Sequence, residues 1–373
     1  MKKVGILTTH ASMNYGGLLQ AYALRRVIQK QGHDCDIVNY VPDMQNAGKN
    51  PIQFITKRKG FVSKAMLATA HYSAYKERMK ILNDFREDYL SPNPQEALGY
   101  EELKRYVDNY DLICCGSDQI WNLNLKDMEN GAYMLNFPHD VPAFSYAVSF
   151  GDGLTKAKEA IEQNLGYIQK FSKISVREDE GKEFLSSHGI EAEVSIDPTL
   201  LLDRGSWKKL AGKKPKIRQP YIFLYGFDSA YQRLEDLVKA ANRLSKELGM
   251  PVVNALMVPK LARAGFLNMY RCGPIEFLNL IRHSSYVCTN SFHATVFSYV
   301  YEKPFSVITS PGMGLDGRKE TLLSILGLRN RFMDPGDRIS RDQLLDCSFD
   351  QCGEELKKMR EESIEYLRGV IGE

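Results

Sequence analysis

The sequence contains no apolar run that approaches the ~20 residues of a bilayer-spanning helix, and residues 1–10 indicate a short first strand instead of a signal peptide. Its charges nearly cancel, because 49 Lys and Arg stand against 46 Asp and Glu, for a net charge of +3 over 373 residues. This balance gives no indication of a nucleic-acid-binding protein. With 43% hydrophobic and 25% charged residues, the composition is that of a folded globular protein with room for about two domains.

Several chemical motifs are missing as well. None of the seven cysteines is part of a CxxC pair, and no Cys/His cluster has the short spacing of a zinc site. We therefore expect reduced, structural thiols in a cytoplasmic protein and no metal site. The glycine-containing segment at 14–20 is neither a GxGxxG nor a Walker sequence, so it gives little support to nucleotide binding, and the chain has no GxSxG elbow of a serine hydrolase.

Short apolar strands alternate with helical patterns in the first half of the chain. We predict strands at Val4–Leu7, Cys35–Tyr40 and Asp111–Cys115, with a helix over Leu18–Lys30 that ends at Gly32. The strand–helix–strand order predicts a βαβ unit that opens a doubly wound parallel sheet. Ligands bind beyond the carboxyl ends of the strands in such sheets, so polar residues at those ends are candidates for a site.

A second α/β series follows residues 203–220, which are rich in Gly, Pro and basic residues and are typical of a linker. Further strand patterns occur at 221–225, 251–253, 285–289 and 304–308. We therefore predict an N-terminal α/β lobe at 1–205, a C-terminal α/β lobe at 206–345 and a C-terminal helix at 346–373. The predicted fold class is α/β, with two Rossmann-like lobes and a cleft between them.

The segment Lys49–Lys80, within a basic insertion predicted at 49–90, departs from the charge balance with eight Lys/Arg and one acid, Glu77. Phe, Ile and Met residues are interleaved with these cations. One interpretation is a solvated helical insertion with an apolar face. The other is a surface that meets anionic lipid or a diphosphate headgroup at the inner face of the membrane.

Polar and small residues follow the first predicted strand and the strand Asp111–Cys115. Asn14, Tyr15, Gly16 and Gly17 form a strand-to-helix turn where backbone N–H groups could approach an anion, although a purely structural turn fits equally well. After the later strand come hydrogen-bonding groups suited to sugar hydroxyls and an aromatic face; these residues are Ser117, Asp118, Gln119, Trp121 and Asn122. The alternative is that Asp118 only caps a helix or turn.

Two further residues could carry charge or protons. Arg177 follows the predicted strand 173–176 and could clamp a carboxylate or phosphate, or lie on the surface beside Glu178. His293 lies where Asn290 or Ser291 could cap a helix, which would place the imidazole in the first helical turn. Imidazole suits proton transfer near neutral pH, whereas a lone histidine is more often a hydrogen-bonded structural residue.

Taken together, these segments resemble the polysaccharide pyruvyl transferase family. The resemblance covers most of the chain. It rests on NYGGLLQAYAL at 14–24, GSDQIWN at 116–122, SVRE at 175–178, DPTLL at 197–201 and SFHATVFS at 291–298.

The resemblance implies a fold similar to the two-lobed GT-B glycosyltransferases, with the site between the lobes. It implies that the lobe at 1–205 is on the acceptor side and the lobe at 206–345 on the donor side. It implies transfer of the enolpyruvyl carbons of phosphoenolpyruvate to a sugar as a cyclic ketal, with release of phosphate and without a cofactor. The donor-binding Arg and the His of the family map onto Arg177 and His293. Ser291 stands where many members have a basic residue, Arg318 is the candidate to supply that cation, and Glu302 lies one position away from the family's glutamate spacing.

The expected partners are a sugar acceptor, which a lipid carrier would hold in a cell-envelope pathway, and an anionic membrane surface in peripheral contact. The alternatives are a nucleotide-sugar glycosyltransferase of similar shape and a non-catalytic glycan-binding protein that keeps the fold.

Overall fold

A computed structural model describes residues 1–42, 72–228, 233–258, 261, 264–337, 339–349 and 353–372. Most of the basic segment Lys49–Lys80 lies outside the described residues, so its contact with a membrane stays a prediction. Its last residues, 72–80, belong to the helix Tyr72–Phe85. Within the described ranges, none of the helices combines the length and the apolar character needed to cross a bilayer.

The chain divides into two compact units. The first unit comprises Met1–Asn50, Asp84–Leu202 and Lys357–Glu373, and the second unit comprises Pro51–Asn83 and Asp203–Leu356. The sequence predicts the C-terminal helix as a separate closing element, whereas from Lys357 onward it groups with the first unit.

A seven-stranded parallel sheet forms the centre of the first unit, in the order β3-β2-β1-β4-β5-β6-β7. Its strands are β1 (Lys3–Leu7), β2 (Asp34–Tyr40), β3 (Pro92–Leu98), β4 (Leu112–Asp118), β5 (Ala143–Val148), β6 (Ser175–Val176) and β7 (Glu193–Val194). The predicted βαβ start is confirmed, because β1 and β2 are parallel neighbours. Since β4 lies on the other side of β1, the strand order reverses there, and ligands bind at such switch points.

The helices of the first unit pack around this sheet. Short 3-10 segments are found at Val107–Asn109, Ala132–Met134 and Pro198–Leu200, and a π-helical turn at Arg86–Leu90. The α-helices are Tyr15–Lys30, Tyr100–Tyr106, Gly153–Lys156, Lys158–Glu162, Leu165–Ile168, Asp179–Ser187 and the later part of Glu354–Gly372.

The helix Tyr15–Lys30 begins where the sequence predicts. Asn14 is its N-cap, and its side chain accepts a hydrogen bond from the N–H of Gly16. Leu18, Leu24 and Ile28 are fully buried, so apolar packing holds this helix in the unit. The chain leaves the helix at Gly32, whose φ of +90° is readily adopted only by glycine.

The C-terminal helix Glu354–Gly372 completes the core of the first unit. The hydroxyl of Tyr366 donates to the carbonyl of Ser145 in β5 at 2.8 Å. The hydroxyl of Ser363 accepts from the N–H of Ile196 at 3.1 Å. Both bonds join the end of the described chain to segments more than 150 residues earlier.

The second unit contains a six-stranded parallel sheet in the order β10-β9-β8-β11-β12-β13. Its strands are β8 (Ile222–Tyr225), β9 (Val252–Asn254), β10 (Leu267–Asn268), β11 (Tyr286–Thr289), β12 (Phe305–Ile308) and β13 (Phe332–Met333). Its helices include Arg204–Ala211, Leu234–Leu248, Pro274–His283, Phe292–Val300, Gly317–Ile325, Arg341–Leu345 and the 3-10 turn Arg329–Arg331. Here the switch point lies between β8 and β11, and β11 leads directly to the segment that contains His293.

Candidate active-site residues

The end of β4 has an unusual backbone that brings Asp118 to the switch point of the first unit. Gly116 has a φ of +143°, and a Cβ built on it would lie 2.2 Å from the carbonyl oxygen of Tyr146, so only glycine fits there. The peptide between Gly116 and Ser117 is cis, and Asp118 itself has a φ of +78°. A non-glycine residue in this region is strained, and such strain is concentrated at functional sites.

Ser117 is buried and is fully engaged by its neighbours. Its hydroxyl donates to the carbonyl of Ala147 at 2.6 Å and accepts from Nη2 of Arg177 at 2.8 Å. Its N–H donates to the side-chain oxygen of Gln20 at 3.1 Å. The sequence predicts Ser117 as a ligand-binding residue, whereas in the structure its hydroxyl accepts a hydrogen bond from Arg177 inside the unit.

Arg177 lies between two carboxylates. Its Nη2 is 3.1 Å from Oδ2 of Asp197, and its Nη1 is 3.6 Å from Oδ1 of Asp118. The side chains of Arg177 and Asp197 are 2% and 0% exposed, and that of Asp118 is 11% exposed. The alternative of a surface Arg177–Glu178 feature is therefore wrong, and Arg177 holds Asp118 and Asp197 together in a buried cluster.

Asp118 also meets residues from the loop after β1. The Thr9 hydroxyl donates to Oδ2 of Asp118 at 3.3 Å. Gly17 is in the first turn of the helix Tyr15–Lys30, and a Cβ built on it would lie 3.5 Å from Oδ2 of the same carboxylate. The neighbouring Asn14 caps that helix, as expected if residues 14–17 form a purely structural turn. Tyr15 is buried. Gly16 and Gly17 are also buried.

The predicted aromatic face of Trp121 is corrected by the structure. Its indole ring is fully buried against Phe150 and Phe171, and its N–H donates to the carbonyl of Tyr133 at 3.1 Å. Trp121 therefore anchors the loop from inside and does not offer a surface on which a sugar could stack.

Gln119 and Asn122 belong to a polar network behind the same loop. The side-chain amide of Asn122 donates to Gln119 at 3.1 Å and to Asp152 at 2.8 Å. Burial alone would raise the pKa of Asp152, but hydrogen bonds from Lys156 and Asn122 lower it below its usual range.

Glu178 is a buried carboxylate that the sequence analysis did not single out. Its Oε1 accepts from the hydroxyl of Ser149 at 2.9 Å and from the N–H of Phe150 at 2.8 Å. These bonds fix the loop that follows β5. The only signal in the sequence was the position of Glu178 directly after Arg177, which does not reveal partners 27 to 29 residues away.

The segment after β11 has the predicted form in the second unit. Ser291 is the N-cap of the helix Phe292–Val300, and its hydroxyl accepts from the N–H of Ala294 at 3.4 Å. His293 therefore lies in the first turn, as predicted, and is 4% exposed. Its ring packs edge-on to that of Phe292, with the ring centroids 5.2 Å apart.

Two cations flank this segment, and one of them was missed. Nζ of Lys319 donates to the carbonyl of Asn290 at 3.1 Å and lies 2.9 Å from Oδ2 of Asp316. Arg318 lies 3.5 Å from Oδ1 of Asp316, with its guanidinium 6.0 Å from the ring centroid of Phe292. The side chain of Lys319 is 1% exposed, and its burial lowers its pKa. Arg318, Lys319 and Asp316 together carry a charge of +1 beside the His293 turn.

Glu302 lies on the surface of the second unit. It forms an ion pair with Arg204 at 2.5 Å, and hydrogen bonding by Arg204 lowers the pKa of this carboxyl. Glu302 is therefore engaged in a surface ion pair.

Asp316 should make the second unit sensitive to acid. Burial alone would raise its pKa, but Arg318 and Lys319 outweigh burial and hold the pKa at about 2, against 3.8 when unperturbed. This gap corresponds to about 2 kcal/mol of folding stability, which is present above pH ~4 and is lost as the pH falls from 4 towards 2. Asp316→Asn should lower the unfolding free energy by about 2 kcal/mol at pH 7 and much less at pH 2. Urea unfolding at both pH values measures this, with the exposed Asp342→Asn as control; equal losses at both would contradict it.

The chain is similar to known proteins in sequence and in fold. The family described as polysaccharide pyruvyl transferase matches residues 14–311 of the chain. No curated protein matches significantly.

Among the residues that the structure describes, no group of three or more His, Cys, Asp or Glu side chains could hold a metal ion.

Solved structures share the fold at low identity. The UDP-GlcNAc 2-epimerase of Methanocaldococcus jannaschii, solved with UDP-GlcNAc and UDP, is 13% identical over 98% of this chain and 99% of that chain, with a TM-score of 0.55. A Listeria monocytogenes protein assigned as a UDP-N-acetylglucosamine 2-epimerase is 10% identical over 98% of this chain and 91% of that chain, with a TM-score of 0.53. At these identities the likeness shows the fold alone, and it confirms the predicted α/β architecture with two GT-B-like lobes.

Proposed function

Because the chain belongs to the polysaccharide pyruvyl transferase family, we propose that it transfers the enolpyruvyl carbons of phosphoenolpyruvate to a sugar as a cyclic ketal and releases phosphate. The family supports a transferase that acts on polysaccharide. The observation that carries it is the His293 turn with Arg318 and Lys319 beside it at the switch point of the second unit.

The donor would need cations and hydrogen-bond donors, because phosphoenolpyruvate carries a carboxylate and a phosphate. Arg318 and Lys319 supply positive charge next to a helix whose N-terminus itself attracts anions. Ser291, which replaces a basic residue of the family, caps that helix. Arg318 and Lys319 thus compensate for the missing cation.

The reaction would need a proton at the methylene carbon of the donor. His293 suits this step, because imidazole exchanges protons near neutral pH and because the first helical turn fixes its position. The proton makes C2 electrophilic, a sugar hydroxyl adds to C2, and phosphate leaves. Arg177 is proposed as a further donor contact on the strength of the family resemblance.

A thermal-shift screen tests the donor. Phosphoenolpyruvate at 100 times its Kd should stabilise the protein by about 2.7 kcal/mol. Pyruvate and inorganic phosphate, which each have one of the two anionic groups, should stabilise it less at equal concentration. Stabilisation by UDP-sugars and not by phosphoenolpyruvate would indicate a nucleotide-sugar glycosyltransferase. No stabilisation by either would favour a non-catalytic glycan-binding protein.

A further inference from the structure

Gly17 occupies a helical position that does not require glycine. It lies within the helix Tyr15–Lys30, and its φ is not among the positive values of the chain. The nearest atoms to a Cβ built there are 3.4 to 3.5 Å away, which is ordinary van der Waals contact. Alanine is the better helix former, so neither the backbone nor the packing explains the glycine.

The atoms around this position are all side-chain oxygens. They are Oγ1 of Thr9 at 3.4 Å, Oδ2 of Asp118 at 3.5 Å and Oγ of Ser12 at 3.5 Å from the built Cβ. Two segments contribute them: the loop that follows β1, with Thr9 and Ser12, and the end of β4, with Asp118. We name the group formed by Thr9, Ser12, Asp118 and Gly17 the hydroxyl cradle. It lies at the switch point of the first sheet.

The charge of the cradle selects its ligand. Asp118 presents a carboxylate oxygen, and Asp118, Arg177 and Asp197 together carry a charge of −1. An anion would be repelled by this carboxylate, whereas a sugar hydroxyl can donate to it and accept from Ser12, because the Thr9 hydroxyl already donates to Asp118. The strained backbone of Asp118, with a φ of +78°, fixes the carboxylate at this position.

We propose that the hydroxyl cradle binds a hydroxyl of the sugar acceptor, and that Asp118 takes the proton from this hydroxyl; the inference rests on the proposed function. Arg177 is then also a positioning residue, because it lies 3.6 Å from Asp118 and is itself held by Asp197 and Ser117.

The attacking oxygen forms a bond to C2 and loses its proton to Asp118, while the methylene carbon gains a proton and becomes a methyl group. The bond between C2 and the phosphate oxygen then breaks. The second hydroxyl of the sugar closes the ring on C2, and its proton leaves with the phosphate.

Gly17→Ala is the sharpest test, because it fills the cradle with one methyl group and leaves every hydrogen-bonding side chain in place. The probes are methyl α-glucopyranoside, methyl β-galactopyranoside and methyl α-mannopyranoside, whose hydroxyls at O4 and O6 can form a six-membered ketal. Saturation-transfer NMR should detect at least one of them on the native chain and lose it on Gly17→Ala. Transfer to that sugar should fall at least tenfold, and the unfolding midpoint should not fall. Gly369→Ala, in the helix Glu354–Gly372 with open space around it, is the matched control and should keep sugar binding.

Asp118→Asn tests the proton acceptor separately. It keeps the size of the side chain but cannot take a proton, so turnover should fall by about 10²–10⁴-fold, while the Kd for phosphoenolpyruvate stays unchanged. Sugar binding that is absent from the native chain, or unchanged in Gly17→Ala, would overturn the cradle. Turnover that is unchanged in Asp118→Asn would overturn its role as the proton acceptor.

These outcomes are separate from the fate of the proposed function. If phosphoenolpyruvate binds and phosphate is released, but both variants have native sugar binding and turnover, the results support pyruvyl transfer and contradict the role of the cradle. If the sugars bind in the cradle and phosphoenolpyruvate does not bind, the results support a glycan-binding site and contradict pyruvyl transfer.

Discussion

Replacing His293 with alanine should lower phosphate release from phosphoenolpyruvate by about 10²–10⁴-fold, the usual contribution of a positioned acid or base. The helix Phe292–Val300 should still form, because its cap is the hydroxyl of Ser291 and its interior is packed by Val296 and Phe297. Coupled phosphate detection measures the rate, and circular dichroism confirms the fold.

Two further variants separate proton transfer from packing. His293→Gln keeps a polar side chain of similar length but cannot deliver a proton, so it should be as inactive as His293→Ala. His283→Ala, at the end of the helix Pro274–His283 in the same unit, is the control and should keep its activity. A folded His293→Gln protein with native turnover would remove His293 from the mechanism.

Replacing Arg177 with methionine should destabilise the first unit by about 3–5 kcal/mol, the cost of removing one partner of a buried ion pair. Asp118 and Asp197 would then face each other without the cation between them. Chemical denaturation of the two proteins measures the loss. Adding Asp197→Asn to Arg177→Met should recover part of it, because one of the two buried charges is removed. No recovery in the double variant would show that the loss comes from packing and not from charge.

Arg177→Lys keeps the charge and asks whether Arg177 also contacts the donor. Lysine cannot present the planar fork of guanidinium, and charged hydrogen bonds are worth roughly 1.5–3 kcal/mol each. A donor contact therefore predicts a Kd for phosphoenolpyruvate that is at least tenfold higher by calorimetry. An unchanged Kd with a lower turnover would show that Arg177 acts only by positioning Asp118.

The strands and their ends could be predicted because the signals are local. Val4–Leu7 and the apolar residues before Gly116 are buried runs that end in small or polar residues, and the parallel order of such strands brings their ends to one edge. The cap at Ser291 is equally local, because a cap bonds to N–H groups only two or three residues further along the chain.

Long-range partners explain what could not be predicted. Trp121 sits next to polar residues in a motif, yet Phe150 and Phe171, 29 and 50 residues later, decide that its ring is buried. Lys319 resembles any basic residue at a helix start until the fold brings it to the carbonyl of Asn290. The left-handed backbone of Asp118 is equally hidden, and so is the close approach of Gly116 to Tyr146, which lies about 30 residues later.

The C-terminal helix sets the order in which the units can be completed during synthesis. Domains usually fold one after another as the ribosome releases them, with the N-terminal one first. Here Ser363 and Tyr366, which bond to Ile196 and Ser145, are made only after the whole of residues 203–356. The first unit therefore cannot form its hydrogen bonds from Ser363 to Ile196 and from Tyr366 to Ser145 until residues 203–356 have been synthesised. Its synthesis begins first, but its last contacts form after the second unit has been made.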